Sequence, residues 1–523
     1  MSGLPLRDQY LFQKDSDRGG NPLRCAVRLT IHEQDFTPGI YLTWIKMTDA
    51  GFAQTCVMNP IIVAPQFDPA LIARYDLAGP RYTSYPTAPQ FNADFNETAL
   101  RATIQASNEE PIPRPLSLYV HVPFCMSPCF YCGCNRVITR DTSKADHYLE
   151  RLYREIELIG PLFDRDRTVR QLHFGGGTPN FLDITRMRDL MGSLARNFSF
   201  SREASREYGI EIDPRFADGA YVRELAELGF NRISVGIQDF DPAVQQAVNR
   251  IQSVEQTREV LEAARAASFR SANVDLIYGL PRQTVDGFSH TLDQVVALEA
   301  DRVAVYGYAH LPKMFKPQRQ INAEELPDPA TRLALFGCAL EKLSAAGYVY
   351  IGMDHFARAD DELVQAQRAG TLQRNFQGYS THGDCDIVGL GASAIGRIGD
   401  SYSQNARDLI GYYAALDAGR LPVVRGLELV EDDLIRRELI GELMCHGRLD
   451  KHAFGARHEL LFDEYFAQAR QRLHPLIGDG LVLESPREIR VTSRGRLLLR
   501  NIAMCFDAYL DDVAPATRFS RVI

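Results

Sequence analysis

Four of the ten cysteines fall within ten residues, Cys125, Cys129, Cys132 and Cys134, in the stretch Tyr119-Val-His-Val-Pro-Phe-Cys-Met-Ser-Pro-Cys-Phe-Tyr-Cys-Gly-Cys-Asn-Arg136. Thiolates are soft metal ligands, and at C-x3-C-x2-C spacing Cys125, Cys129 and Cys132 can converge on one centre if the loop folds back on itself. Pro128 and Gly133 favour such a loop over a helix. Iron–sulfur clusters are usually held by four thiolates. Three would leave one iron of a four-iron cluster open to another ligand. A structural zinc site competes with this reading, but it normally needs a fourth ligand and favours paired C-x2-C units. A disulfide framework fits less well, because nothing in the sequence indicates export.

Other residues with chemical potential recur at regular intervals. Gly175-Gly-Gly-Thr-Pro179 lets a backbone approach a ligand closely but matches neither the G-x-G-x-x-G fingerprint nor a P-loop. Glu211-Ile-Asp-Pro-Arg215 follows, then Gly236-Ile-Gln-Asp-Phe240 with Val248-Asn-Arg250, then Asn273-Val-Asp-Leu-Ile-Tyr-Gly-Leu-Pro281. A carboxylate such as Asp275 within a run of Val, Leu and Ile is costly unless paired. It is expected to meet a cation, either a sulfonium ligand or Arg250. Each of these residues alone reads more readily as half of a structural ion pair; together, on successive strand ends, they point to a ligand site.

The elements that must carry them are short apolar runs at 116–124, 169–177, 206–214, 231–239, 271–279 and 301–309. Amphipathic stretches lie between them at His147–Ile159, Tyr221–Leu228, Val254–Ala267 and Thr291–Leu298. Six strand–helix repeats predict a parallel sheet with right-handed crossovers, too few for a closed eight-fold barrel. The expected fold class is therefore α/β, a partial (βα)6 barrel, with the cysteines at the C-terminal end of its first strand, where barrel enzymes carry their sites. Tyr348–Phe356 and the glycine-rich Asp386–Gly396 are expected to extend or flank the sheet. From about Asp432 the texture becomes helical, with two short β-like runs before a last helix, which suggests a winged-helix-like C-terminal domain. The expected divisions are 1–57, 58–115, 116–431 and 432–523. Residues 1–57 hold the only tryptophan and show no clear period, and are expected to be a non-native or disordered extension, with the native start at Met58 or nearby.

The C-x3-C-x2-C spacing resembles that of the radical S-adenosylmethionine enzymes. Within them, the string YVHVPFC…CFYCGCNR, the extended arm GPRYTSYPT (79–87), E-x-D-P-R, YAHLP (308–312), GMDHFA (352–357) and the C-terminal Phe519-Ser-Arg-Val-Ile523 resemble the oxygen-independent coproporphyrinogen III oxidase family. The likeness runs from about residue 70 to the C-terminus. It implies a radical S-adenosylmethionine barrel in which Cys125, Cys129 and Cys132 hold a [4Fe–4S] cluster and two S-adenosylmethionine molecules bind. It also implies that Tyr119, Tyr131, Gly176, Gly177, Thr178, Glu211, Gln238, Arg250, Asp275, Ala309 and Ile395 contact the latter. Cys134 and Tyr119 are counted with the catalytic residues, and Cys134 stands outside the ligand set. The implied reaction converts two propionates of coproporphyrinogen III, on rings A and B, to vinyl groups, giving protoporphyrinogen IX. It would draw on an unidentified reductant and an unidentified electron acceptor. Because that substrate is a tetra-anion, arginines are expected at the mouth, with Arg81, Arg319 and Arg358 as candidates.

Composition sets outer limits. The chain has 523 residues, 45% hydrophobic and 24% charged, with a net charge of −9. A sizeable core is affordable, and general nucleic-acid or acidic-membrane binding is disfavoured. No run reaches the ~20 apolar residues of a membrane span, and the N-terminus lacks a signal-peptide pattern. The chain is expected to be a cytoplasmic monomer. Two rival functions stay open on sequence grounds: a haem chaperone of the same fold, and an electron-transfer protein that consumes no S-adenosylmethionine.

Overall fold

The computed structural model describes residues 64–510 and Arg521, and the backbone of four short strands near the N-terminus. Those strands, Gln9–Leu11, Ala26–Leu29, Leu42–Met47 and Ala53–Thr55, form an antiparallel meander in a unit of their own, Met1–Ile62. The expectation of a non-native or disordered extension over 1–57 otherwise lies outside the described residues, as does most of the C-terminal string 519–523.

The second unit is built on six parallel strands: β1 (Leu116–Val122), β2 (Thr168–Gly176), β3 (Glu207–Ile212), β4 (Arg232–Gln238), β5 (Ser271–Tyr278) and β6 (Arg302–Gly307). Each pairs with the next in sequence order. They alternate with helices α1 (Ser143–Ile159), α2 (Ile184–Asn197), α3 (Gly219–Glu227), α4 (Val254–Ala266), α5 (Val285–Ala297) and α6 (Pro329–Ala345). The helices start where side chains satisfy their free backbone N–H groups. Asp218 caps α3 through Tyr221 N, and Ser253 with Gln256 forms a reciprocal capping box on α4. Such a cap contributes about 1 kcal/mol, so Ser253→Ala would fray that end.

Alternation along the strands separates two environments. On β4, Ile233, Val235 and Ile237 are buried under the helices, each contributing roughly 1.5–3 kcal/mol of hydrophobic stabilisation. Arg232, Ser234, Gly236 and Gln238 face the other way and are only half-buried. The inside of the curved sheet is therefore the polar side.

The sheet continues past both ends of the six. Beyond β6 lies a hairpin, β7 (Tyr348–Gly352) and β8 (His355–Arg358), with β8 antiparallel to β6. The single strand-like run predicted over 348–356 is thus two strands, turned at Gly352 (φ +150°) and Met353 (φ +53°). Beyond β1 lies β9 (Asp386–Leu390), parallel to it, then antiparallel β10 (Ile395–Ile398), β11 (Ser401–Asn405) and β12 (Val423–Glu428). The order β7-β8-β6-β5-β4-β3-β2-β1-β9-β10-β11-β12 ends in two separate edges, an open barrel.

The C-terminal part begins with α7 (Glu431–His446) and carries a three-stranded antiparallel sheet of Arg448–Asp450, Glu488–Val491 and Val482–Glu484. The strand at 448–450 escaped the sequence reading because it spans three residues without a period. The single last helix expected near 493–510 is a 3-10 turn, Arg496–Leu498, followed by a short helix, Leu499–Met504. The arm at 79–86 packs here: the Tyr82 hydroxyl donates to Asp507 (2.8 Å), and Arg500 donates to the carbonyls of Gly79 and Pro80.

Candidate active site

The cysteine loop leaves β1 and is closed at its base by a two-residue parallel pairing of Phe124–Cys125 with Val137–Ile138. Arg136 reaches back across it and donates to the carbonyls of Cys129, Cys132 and Cys134. Neighbours hold it from outside. Asn249, in the left-handed region at φ +55°, donates to Pro128 O, and Gln318 donates to both Tyr131 O and Ala309 O.

Each of the three thiols at C-x3-C-x2-C spacing meets a hydrogen-bond donor. Thr178 Oγ1 donates to Cys125 Sγ (3.3 Å), and Arg215 and Arg250 each place a guanidinium N–H 3.6 Å from Cys129 Sγ. The backbone N–H of Cys134 meets Cys132 Sγ at 3.4 Å. Burial pushes the Cys125 thiol up to about 11 against the pull of Thr178. A hydrogen bond from the Cys134 side chain brings Cys132 down to about 6, and the same contact raises Cys134. Cationic neighbours and N–H donors stabilise thiolates. Among the described residues no group of three His, Cys, Asp or Glu side chains is placed to hold one metal ion.

The glycine loop after β2 owes its composition first to packing. Gly177 N donates to Val122 O and Thr178 N to Phe124 O, both at 2.8 Å, which zips this loop to the chain entering the cysteines. A Cβ at Gly177 would lie 2.7 Å from Phe124 O, and one at Gly176 (φ +114°) 2.6 Å from the His121 ring. The close approach anticipated from the glycines is therefore, within this chain, an approach to Phe124 and His121.

Inside the barrel a chain of polar contacts descends from the loop. His121 Nε2 lies 3.0 Å from Asn135 O, so that nitrogen carries the proton and Nδ1 accepts from the Tyr119 hydroxyl at 3.1 Å. Burial lowers the His121 pKa and keeps the ring neutral. Tyr119 stacks on His173, whose Nε2 is 3.2 Å from Glu211 Oε1. Asp275 accepts from Ser234 Oγ and Asn273 Nδ2, both at 2.9 Å, and burial pushes it up to about 6. His173, Glu211, Ser234, Asn273 and Asp275 line a cavity of about 200 Å3. Its floor is a network of Arg232 with Glu207 and Glu362, and of Arg302 with Glu362 and Asp361.

Arg250 answers to a different carboxylate from the one expected. It is buried against Asp213 (3.1 Å) and Gly236 O (2.6 Å), while Asp275 is held by neutral donors. The reason is register: β4 and β5 place Ser234 opposite Asn273, two residues before Asp275 on the same face. Burial alone would raise Asp213, but Arg250 and Arg215 outweigh it and hold its carboxyl below the ordinary range.

Comparison with known proteins decides the family. A Radical SAM superfamily model matches residues 119–295, and a HemN C-terminal domain model matches 429–498. The chain is 52% identical over 462 residues to the oxygen-independent coproporphyrinogen III oxidase of Pseudomonas aeruginosa, covering 88% of this chain and 99% of that one. Against the Escherichia coli K12 protein of the same name it is 49% identical over 457 residues, 87% and 98% of the two chains. The solved structure of the Escherichia coli enzyme, described as a radical SAM enzyme, superposes with a TM-score of 0.81 at 47% identity, covering 86% of this chain and 100% of that one. The chain belongs to the oxygen-independent coproporphyrinogen III oxidase family.

In this family member the expected site residues fall into three groups. Around the cysteine loop, Thr178 contacts Cys125, Arg250 contacts Cys129 and the Cys134 N–H meets Cys132, and the Gln238 side chain (φ +71° at that residue) lies beside Gly236 and Arg250. Glu211 and Asp275 line the cavity, Tyr119 stacks on His173 in its wall, and Ile395 crowds Gly389, the β9 residue paired with Tyr119. Tyr131 and Ala309 are joined through Gln318.

The arginine candidates fare differently. Arg81 stands 3.9 Å from Asp354 at the β7–β8 turn, and Arg319 is exposed and donates to Pro312 O. Arg358 does not reach the mouth: β8 runs antiparallel to β6, which carries it to the opposite end, where its N–H bonds Asp301 O. Arg136, His173 and Gln318 had no assigned role in the sequence. Of these, His173 was findable, because it alternates with Gln171 and Gly175 on β2 and so faces inward.

Proposed function

We propose that this chain catalyses the oxygen-independent oxidative decarboxylation of coproporphyrinogen III to protoporphyrinogen IX. The observation that carries the reading is near-full-length identity with proteins of that name, combined with a C-x3-C-x2-C loop whose every thiol faces a donor at the barrel mouth. It favours an oxidase over a haem chaperone. A radical SAM enzyme works with a [4Fe–4S] cluster and S-adenosylmethionine, which together supply a 5′-deoxyadenosyl radical that removes a hydrogen atom from substrate. Each propionate then loses that hydrogen, carbon dioxide and one electron, leaving a vinyl group. Cys125, Cys129 and Cys132 would hold the cluster. Thr178, Arg215, Arg250 and the Cys134 backbone place O–H and N–H donors against those sulfurs. Glu211 and Asp275 present carboxyl groups to the inner cavity, and Tyr119 stacks on His173 in its wall.

The reading extends to two S-adenosylmethionine molecules contacted by the residues assigned above, to an unidentified reductant and an unidentified electron acceptor, and to a monomer. Free thiols at every described cysteine support a reducing, cytoplasmic setting. Anaerobic reconstitution with dithionite, S-adenosylmethionine and coproporphyrinogen III tests it. Protoporphyrinogen IX and 5′-deoxyadenosine should appear together and vanish in Cys129→Ser; nucleoside without decarboxylation would overturn the assignment.

A further inference from the structure

A cavity of about 590 Å3 lies away from the cysteines, between the arm, the segment 370–376, β10 and α7, and meets the inner cavity only at Asn375 among the lining residues of both. Arg397 on its wall pairs with Ile387, which pairs with Ser117 near the start of β1. The five residues from there to Val122 span about 16 Å, and the cysteine loop lies beyond them. The volume is in the range of pockets that hold a compact organic ligand.

Four guanidinium groups line it: Arg114, Arg374, Arg397 and Arg437. Among the described residues, Arg397 donates to the carbonyls of Gly383 and Cys385, and Arg374 to those of Arg81 and Tyr82. Arg437 reaches Asp400 at 3.5 Å, and Arg114 stands 4.0 Å from both Glu110 and Asp386. Among the described residues, buried N–H groups of Arg374, Arg397 and Arg437 have no hydrogen-bond partner. The carboxylates on the wall are engaged elsewhere: Glu438 and Glu442 hold Arg457, and Asp384 faces Arg170. Burial lowers the Arg397 pKa, the mark of a cation short of a counter-charge. Between the arginines the wall is aromatic, with Tyr82, Tyr85, Phe376 and Tyr402. Planar guanidinium groups take carboxylates bidentately, and an aromatic wall suits a flat apolar body.

We infer that this cavity is a second binding site for a carboxylated tetrapyrrole, separate from the site at the cysteine loop. The ligand class follows from the cavity's own chemistry and goes beyond the proposed reaction, with whose substrate and product it coincides. Anaerobic calorimetric titration of the reconstituted protein with coproporphyrin III, the stable oxidised macrocycle, should give two equivalents bound per chain. Hydrogen exchange should slow in 434–446. Arg114→Glu/Arg437→Glu, or the milder Arg437→Gln, should lose one equivalent or weaken it at least about tenfold, and lose that protection, with turnover and melting temperature retained. One equivalent in the wild type, or two undiminished in the double variant, overturns the site. Full displacement by inorganic phosphate, with no macrocycle bound there, overturns the ligand class. Loss of turnover together with the equivalent makes the cavity the substrate site and overturns a second one. Two equivalents with protection but no turnover would instead sink the proposed reaction and leave this site standing.

Discussion

Replacing Gly177 by alanine probes the joint on which the cysteine loop rests. The new Cβ would sit 2.7 Å from Phe124 O, against an ordinary contact of at least 3.4 Å, so one chain must recede by about 0.7 Å. Neither side is a flexible side chain. The backbone on one side leads into Cys125; on the other it carries Thr178, whose hydroxyl touches Cys125 Sγ. Overpacking of this kind costs about 1–3 kcal/mol, and straining the hydrogen bonds from Gly177 N and Thr178 N adds about 1 kcal/mol each. The fold should survive, but displacement of the site by most of an ångström should lower turnover by about 100-fold. Gly192 is the control, since on α2 only the flexible end of Arg196 lies near its added Cβ, and alanine there should stabilise by up to ~1 kcal/mol. The assay pairs cluster absorbance and iron content after reconstitution with protoporphyrinogen formation, for both variants. Wild-type cluster loading and turnover in Gly177→Ala would refute the packing account of that glycine.

Asp275→Asn should stabilise the substrate-free protein above pH 6, by at most about 3 kcal/mol. The raised carboxyl pKa of about 6 means the charge penalty is absent below the unfolded value near 3.8 and complete above 6; an unfolding series from pH 4 to 8 with no growing gain would contradict the burial argument. Thr178→Val removes the donor to Cys125 and should raise that thiol's pKa further, so cluster loading at pH 7.5 should slow and recover toward pH 9. Equal loading rates at both pH values would show the hydroxyl to be idle. Arg358→Ala should leave kcat/KM within about twofold, because the side chain stands at the far end of the sheet; a tenfold loss would return it to the substrate site.

Sequence by itself determined the parts of this protein that depend on local pattern. The six strands of the barrel were legible to within about two residues at each end, because alternating or continuous apolar runs bounded by glycine and proline have few other structures open to them. The cysteine loop and the residues at the strand ends were legible for the same reason: spacing along one chain decides which thiols can meet. Tertiary structure alone decided the pairings across chains. Arg250 went to Asp213 because the register of β4 and β5 supplied Asp275 with Ser234 and Asn273 first. Gly177 was set by the backbone of Phe124, more than fifty residues away, and Arg358 left the mouth when β8 turned back. In each case the partner is chosen by sheet register and crossover path, long-range geometry that no residue's neighbours encode.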